Sequence, residues 1–143
     1  MNGVIVMIFD LFKRKKKSIR ENTTLSEENA QWNKMWDLWA DGKIAFPYNE
    51  LMTYQSEVNN GGHSQYFVNM ENTGDISKEM SALDEILPDI FKENLVTAYK
   101  AYLLLEEDEE NEEAEAVMQK CDDLFYENEN GINNILESFC KTL

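Results

Sequence analysis

A polar break of four residues, Asn59-Asn60-Gly61-Gly62, separates two segments whose apolar residues recur at helical spacing. Before the break, Leu51, Tyr54 and Val58 line one face of a helix, and a second short helical pattern follows at residues 63–69. Glycine accepts the left-handed backbone conformation that the exit from a helix requires. The sequence therefore predicts a helix that ends at this break and another that begins directly after it.

Three tryptophans at helical spacing mark an earlier helix. Thr24 and Glu27 form a capping-box pattern, and Trp32, Trp36 and Trp39 follow on one face. Such a stripe also suits a stacking platform for bases or sugars, but core packing is its more frequent use. We therefore expect the three rings to lie in the core.

The rest of the body keeps the same 3.6-residue period. Polar breaks fall at residues 72–75, at Pro88 and at Asn130-Gly131. Between them, apolar stripes predict helices within residues 76–87, 91–103, 114–125 and 132–143. No segment of the body alternates at period two over enough residues to form a strand. The expected fold is all-α, a single-domain bundle of about six helices that ends in an antiparallel helical hairpin.

Cys121 and Cys140 lie equally far from the Asn130-Gly131 turn, so an antiparallel hairpin would place them at the same level. Packed helix axes stay about 8–10 Å apart, whereas the α-carbons of a disulfide lie within about 4.4–6.8 Å. We therefore expect two buried thiols without a bond between them.

Charge divides the chain into two predicted parts, a basic N-terminal tail at residues 1–22 and an acidic helical domain at residues 23–143. The whole chain has 13 basic and 28 acidic side chains, a formal charge of −15, yet residues 1–20 hold six of the basic ones. An acidic body repels nucleic acid and attracts basic proteins. We expect a basic protein partner and no direct binding of nucleic acid.

The N-terminal segment allows two interpretations. Its cations at residues 13–17 follow the apolar run instead of preceding it, unlike a secretory signal, so a cytoplasmic location is expected. The segment is either a flexible, solubilising tail or, through residues 1–17, a contact with an anionic membrane surface.

The strongest charge cluster lies at residues 106–115, where eight of ten side chains are carboxylates. If helical, these residues span about 15 Å, over which duplex DNA carries about nine phosphates. The two charge densities are similar. Like charges at i and i+4 also disfavour a helix, so helix and solvated loop both remain open.

A longer motif surrounds the polar break. It consists of Glu57, Asn59, Asn60, Gly61, Gly62, Gln65, Tyr66, Phe67 and Asn69. This motif resembles the signature of the DNA-mimic protein family, whose members are small, acidic, all-helical bacterial proteins. The family usually has a bulky apolar residue where this chain has His63, and a second likeness lies at residues 122–127. The resemblance implies a structural motif where helices meet, with buried amides bonded to free backbone groups at helix ends.

No residue pattern in the sequence predicts catalysis, a metal or a cofactor. His63 is the single histidine, and we expect it to be a packed or rim residue and not a catalytic base. Asn130, Gly131 and Glu137 match part of a calcium-binding loop, but Tyr126 stands where its first carboxylate belongs. The chain is not expected to be an enzyme.

The favoured hypothesis is an acidic protein-binding module, a DNA mimic that occupies the basic surface of a DNA-binding regulator. Its predicted partner surface consists of Glu106, Glu107, Asp108, Glu109, Glu110, Glu112, Glu113, Glu115, Asp122, Asp123, Glu127 and Glu129. One alternative is an antidote-like protein that neutralises a basic toxin. Another is a peripheral membrane protein anchored by its N-terminal segment. The oligomeric state stays open.

Overall fold

The computed structural model describes residues 23–143, which form six helices and no strand. These are α1 (Thr23–Ala40), α2 (Tyr48–Thr73), α3 (Ile76–Ile86), α4 (Asp89–Glu107), α5 (Glu112–Asn128) and α6 (Asn130–Cys140). The predicted all-α bundle is confirmed over this range. The predicted basic tail, the membrane contact and the side chain of Thr24 lie outside the described residues.

The tryptophan stripe on α1 is part of the core, as the helical spacing predicted. Trp36 packs edge to face against Trp32 and Trp39, with ring centroids 6.4 and 5.3 Å apart. The Trp39 indole also donates a 3.0 Å hydrogen bond to the Thr53 hydroxyl of α2. This stripe therefore attaches α1 to the bundle.

The predicted break in the second helix is a kink inside α2. Gly61 and Gly62 leave the helical region, with φ −157° and ψ 21° at Gly61 and φ 76° and ψ −177° at Gly62. Helical backbone resumes directly afterwards and continues to Thr73. The predicted exit and immediate re-entry are both present, and they redirect one long helix.

The most extensive helix contact in residues 23–143 joins α4 to α5. A short turn at residues 108–111 connects these two helices, so they run antiparallel. The next pair, α5 and α6, makes much less contact. The predicted turn at Asn130-Gly131 is instead the first turn of α6, because the amides of Ile132 and Asn133 both donate to the carbonyl of Glu129 and helical bonding resumes at once.

All six helices contribute to the core, and aromatic rings join α2, α4 and α5 within it. The fully buried ring of Phe125 packs against Tyr54 of α2 at 5.5 Å and against Phe91 of α4 at 6.1 Å. Phe67 of α2 similarly contacts Tyr102 of α4 at 5.2 Å. These packed rings place the kink of α2 against α5.

No helix in the described range has a stretch that is long and apolar enough to cross a bilayer.

Both cysteines are buried and unbonded, which confirms the prediction of two buried thiols. Burial is the main cause that raises the pKa of Cys121 and Cys140, and the nearby carboxylates of Asp122 and Glu137 add to it. Less thiolate forms at a given pH, and the reagent also has to reach a buried sulfur. We expect a disulfide reagent to react roughly tenfold or more slowly with the folded chain than with the chain in denaturant. Equal rates at mildly alkaline pH would contradict this expectation.

Candidate functional site

The kink of α2 rests directly against Asp122 of α5. Gly62 has a positive φ of 76°, and a β-carbon added there would lie 2.6 Å from the Asp122 carboxylate. The same carboxylate accepts a 2.9 Å hydrogen bond from the backbone amide of His63, at the start of the second segment of α2. A carboxylate at a helix N-terminus accepts a hydrogen bond from a free amide and is attracted to the positive end of the helix dipole. Asp122 therefore caps this segment from another helix.

His63 extends this contact into the core. Its side chain is fully buried, with Nδ1 2.7 Å from Asp122 Oδ1 and Nε2 2.6 Å from the Tyr54 hydroxyl. Burial, and then the charges of Tyr66 and Asp122, raise the pKa of Tyr54 far above its usual range, so its hydroxyl keeps its proton beside Nε2. The carboxylate can only accept, so Nδ1 is the donor to Asp122. The histidine is packed and fully bonded.

Tyr54, His63 and Asp122 are linked in the order hydroxyl, imidazole and carboxylate, which is also the order of the groups in hydrolase catalytic triads. Tyr54 and His63 are both fully buried here, however, and a substrate does not reach either side chain in this structure. The chain of hydrogen bonds joins the two segments of α2 to α5. The arrangement thus holds the kink in place.

A second carboxylate, Glu57, bridges the kink within α2. Glu57 is 6% exposed, and its Oε2 accepts hydrogen bonds from Gln65 at 2.9 Å and from Asn69 at 2.6 Å. The amides were expected to bond backbone groups at helix ends, and this expectation is wrong for both side chains. The kink turns the face that carries Gln65 and Asn69 toward Glu57, and a charged acceptor makes a stronger hydrogen bond than a neutral one.

A third carboxylate, Glu129, ties α2 to the junction of α5 and α6. Its Oε2 accepts hydrogen bonds from Gln55 at 2.9 Å and from Asn59 at 2.6 Å. One turn earlier, the Tyr126 hydroxyl donates a 2.8 Å bond to the backbone carbonyl of Val58. Both contacts lie beside the kink and join the first segment of α2 to the end of α5.

The remaining residues of the predicted motif divide into two kinds. Tyr66 and Phe67 are fully buried and belong to the core. Asn60 and Gly61 are exposed at the outer side of the kink. The motif is therefore a packed helix junction with a small solvent-facing edge.

The acidic residues at 106–115 surround the turn between α4 and α5, and we call them the acidic cap. Glu106 and Glu107 end α4, the turn carries the next three acids, and Glu112, Glu113 and Glu115 lie in the first turn of α5. All eight carboxylate side chains are exposed. The sequence left both helix and loop open for residues 106–115, and the structure contains both, because a turn separates two helix ends.

Local capping explains why the chain turns here. Asp108 Oδ1 accepts a 3.0 Å hydrogen bond from the Glu110 amide, and Asn111 Oδ1 accepts one from the Ala114 amide at the start of α5. The acids that begin α5 also face the positive end of its dipole. A shallow depression lies between Glu109, Glu110, Asn111, Glu112 and Glu115.

One further acid joins the acidic cap through tertiary contact. Tyr102 of α4 donates a 2.9 Å hydrogen bond to the carboxylate of Glu71, an exposed residue near the end of α2. Burial, and then hydrogen bonds with Glu106 and Glu71, raise the pKa of Tyr102. Glu71 could not be predicted from the sequence, because it lies more than thirty residues before the acidic run and no local pattern links the two.

The four other acids of the predicted surface have different environments. Asp123 and Glu127 are exposed. Asp122 and Glu129 are partly buried and accept hydrogen bonds from α2. The prediction that these two are free charges of the partner surface is therefore wrong. The reason is that α2 supplies backbone and amide donors at these two positions.

The exposed acids keep their charge largely uncompensated. Within residues 23–143, no lysine approaches a carboxylate within 4.0 Å, and the contact of His63 with Asp122 is a hydrogen bond in the interior. In the same range no group of three or more histidine, cysteine or acidic side chains has the arrangement of a metal site. With respect to the part of the chain that the structure describes, the acidic cap is therefore an open anionic surface.

A family model for DMP19-like proteins matches residues 48–142 of the chain. The chain belongs to the DMP19-like family. The DMP19-like region begins with α2 and includes the kink, the acidic cap and α6, while α1 precedes it. No curated protein and no solved structure matched the chain. The resemblance to a DNA-mimic family is thus confirmed at the level of the family.

The kink provides a test of the contact between Gly62 and Asp122. We expect Gly62→Ala to lower the free energy of unfolding by roughly 3 kcal/mol, because the new side chain meets both a disfavoured backbone conformation and the carboxylate. Gly42→Ala is the matched control, since Gly42 has a φ of 72° with open space around it, and should cost roughly 1 kcal/mol. Urea unfolding measures both. Equal losses would contradict a specific role for the carboxylate.

Adjacent aspartates test the assignment of Asp122. Asp122→Ala leaves the His63 amide and imidazole without their acceptor, and we expect a loss of about 1–3 kcal/mol in the free energy of unfolding. Asp123 is exposed and contacts only Gln119 through its side chain, so Asp123→Ala should change stability by less than about 0.5 kcal/mol. A comparable loss in the two variants would refute the capping role.

Proposed function

We propose that this chain is a DNA mimic, an acidic module that binds the basic surface of a DNA-binding protein. The observation that carries the proposal is the acidic cap, where eight exposed carboxylates surround one turn and no described lysine pairs with them. Membership of the DMP19-like family supports the same kind of function. The overall acidity of the chain, with a formal charge of −15, favours a cationic partner.

The geometry of the acidic cap refines the comparison with DNA. The acids do not follow one helix of about 15 Å, because they sit on the adjoining ends of two antiparallel helices and on the turn between them. Packed helix axes lie about 8–10 Å apart, so we expect the carboxylates at the two helix ends to form two short rows. Two rows of negative charge are what a groove-reading basic surface meets on DNA.

The rigidity of the two helix ends also favours this function. The Asn111 and Asp108 caps order the turn, and Tyr102 holds Glu71 beside it. A partner then meets carboxylates whose backbone is already ordered, which reduces the entropy lost on binding. Attraction between exposed charges is screened by salt, so binding should weaken steeply as salt is added.

Capture from a cell lysate tests the proposal. The cap variant carries Glu109→Gln, Glu110→Gln, Glu112→Gln and Glu113→Gln. A control variant loses the same charge from exposed acids elsewhere, through Asp37→Asn, Asp84→Asn, Glu85→Gln and Glu93→Gln. At low salt we expect the cap variant to retain its partners about tenfold more weakly than the control variant.

Competition with DNA decides the nature of those partners. If the chain is a DNA mimic, the captured set contains nucleic-acid-binding proteins, and added duplex DNA releases them. Capture that depends on the acidic cap but resists DNA would favour the antidote-like alternative. Equal capture by the cap and control variants would remove the acidic cap from the binding surface.

A further inference from the structure

Tyr126 is an exposed aromatic residue whose ring is held in place. Its hydroxyl donates a 2.8 Å hydrogen bond to the carbonyl of Val58, in the turn of α2 that the glycine pair interrupts. The ring lies at right angles to that of Phe125, with centroids 5.6 Å apart. The residue is nonetheless 44% exposed. Tyr126 therefore presents a fixed aromatic surface to solvent.

Acidic side chains surround this ring. Asp122 and Asp123 precede Tyr126 by four and three residues, and Glu129 follows by three, a spacing that puts neighbours on one helix face. The same three carboxylates, after burial, raise the pKa of the Tyr126 hydroxyl. Two of them are immobilised, Asp122 by His63 and Glu129 by Gln55 and Asn59.

The combination selects a particular cation. A guanidinium group stacks on an aromatic face and directs its planar donors to carboxylates at the ring edge at the same time. A lysine ammonium is a compact point charge without that planar fork. Tyrosine and arginine are also enriched among the residues that dominate binding energy at interfaces.

We propose that Tyr126 and the exposed Asp123 form a docking position for an arginine side chain of the basic partner, with the partly buried Asp122 and Glu129 adding negative potential behind it. This inference rests on the proposed function and adds a chemical preference to it. The acidic cap attracts cations of any kind, whereas the Tyr126 position discriminates arginine from lysine. The two surfaces share α5, whose first turn carries part of the acidic cap and whose last turns carry Tyr126.

Fluorescent decaarginine and decalysine peptides test this preference by anisotropy at low salt. The measured quantity is the ratio of the two affinities. We expect Tyr126→Leu to lower decaarginine affinity by about three- to fivefold with little change for decalysine, the effect of one exposed cation–π contact. Tyr126→Phe keeps the ring and should keep most of the ratio. Both variants lose the bond to Val58, and thermal unfolding checks that each is folded at the temperature of the binding assay.

Each result separates the inference from the proposed function. If neither peptide binds at low salt, both the arginine position and the proposed function are contradicted. If both peptides bind and Tyr126→Leu leaves the ratio of their affinities unchanged, the arginine position is overturned and the acidic cap remains as the proposed binding surface. An equal fall of the ratio in Tyr126→Phe would also overturn it, since loss of the Val58 anchor would then be the cause. Phe46→Leu, at an exposed ring without an acidic residue within three positions, should leave the ratio unchanged.

Nuclear magnetic resonance provides a second readout that does not depend on a stable Tyr126→Leu variant. In the wild-type chain, the Tyr126 ring signals should shift more on addition of decaarginine than of decalysine. Their assignment follows from the signals that Tyr126→Phe changes. Equal shifts with the two peptides would overturn the proposal.

Discussion

The arrangement of the described helices depends on the hydrogen bonds that the Asp122 carboxylate accepts. A helix that changes direction leaves amides without partners at its new start, and these must be satisfied where the kink is packed against another helix. Asp122 accepts from the first such amide and from the imidazole of the same residue, His63. Only a residue without a β-carbon fits beside this carboxylate with the backbone angles of Gly62. The kink and its cap therefore require each other, and together they bring both segments of α2 against α5.

The acidic residues of this chain serve two opposite purposes. Glu57, Asp122 and Glu129 turn inward and each accepts at least two hydrogen bonds, as a partly or fully buried carboxylate must. The acids of the acidic cap face water without described lysine partners. Charge on the first group stabilises the junction of α2 and α5, while charge on the second opposes compaction and is available to a partner. A count of carboxylates in the sequence does not distinguish these groups.

The inward contacts determine how rigidly the outer ones are presented. α5 begins at the acidic cap, passes Asp122 at the kink and ends beside Tyr126 and Glu129, so one helix connects the predicted binding positions to the bonded core. The proposed function rests on the outer surface, and the scaffold explains how its charges keep their spacing.

Local patterns in the sequence were enough to predict the helical class, the tryptophan core on α1 and the break at Gly61-Gly62, because these depend on residues within a few positions of one another. Hydrogen-bond partners such as Gln55 and Glu129, or His63 and Asp122, are separated by 74 and 59 residues. Asp122 and Asp123 are chemically identical neighbours, and only the packing of α2 on α5 makes one a cap and leaves the other exposed. The Asn130-Gly131 pair has the composition of a turn, yet helical bonding from Glu129 overrides it. The sequence thus determined which segments are helical, and tertiary packing decided which charges are internal, because that choice depends on the donors that a distant helix brings to each carboxylate.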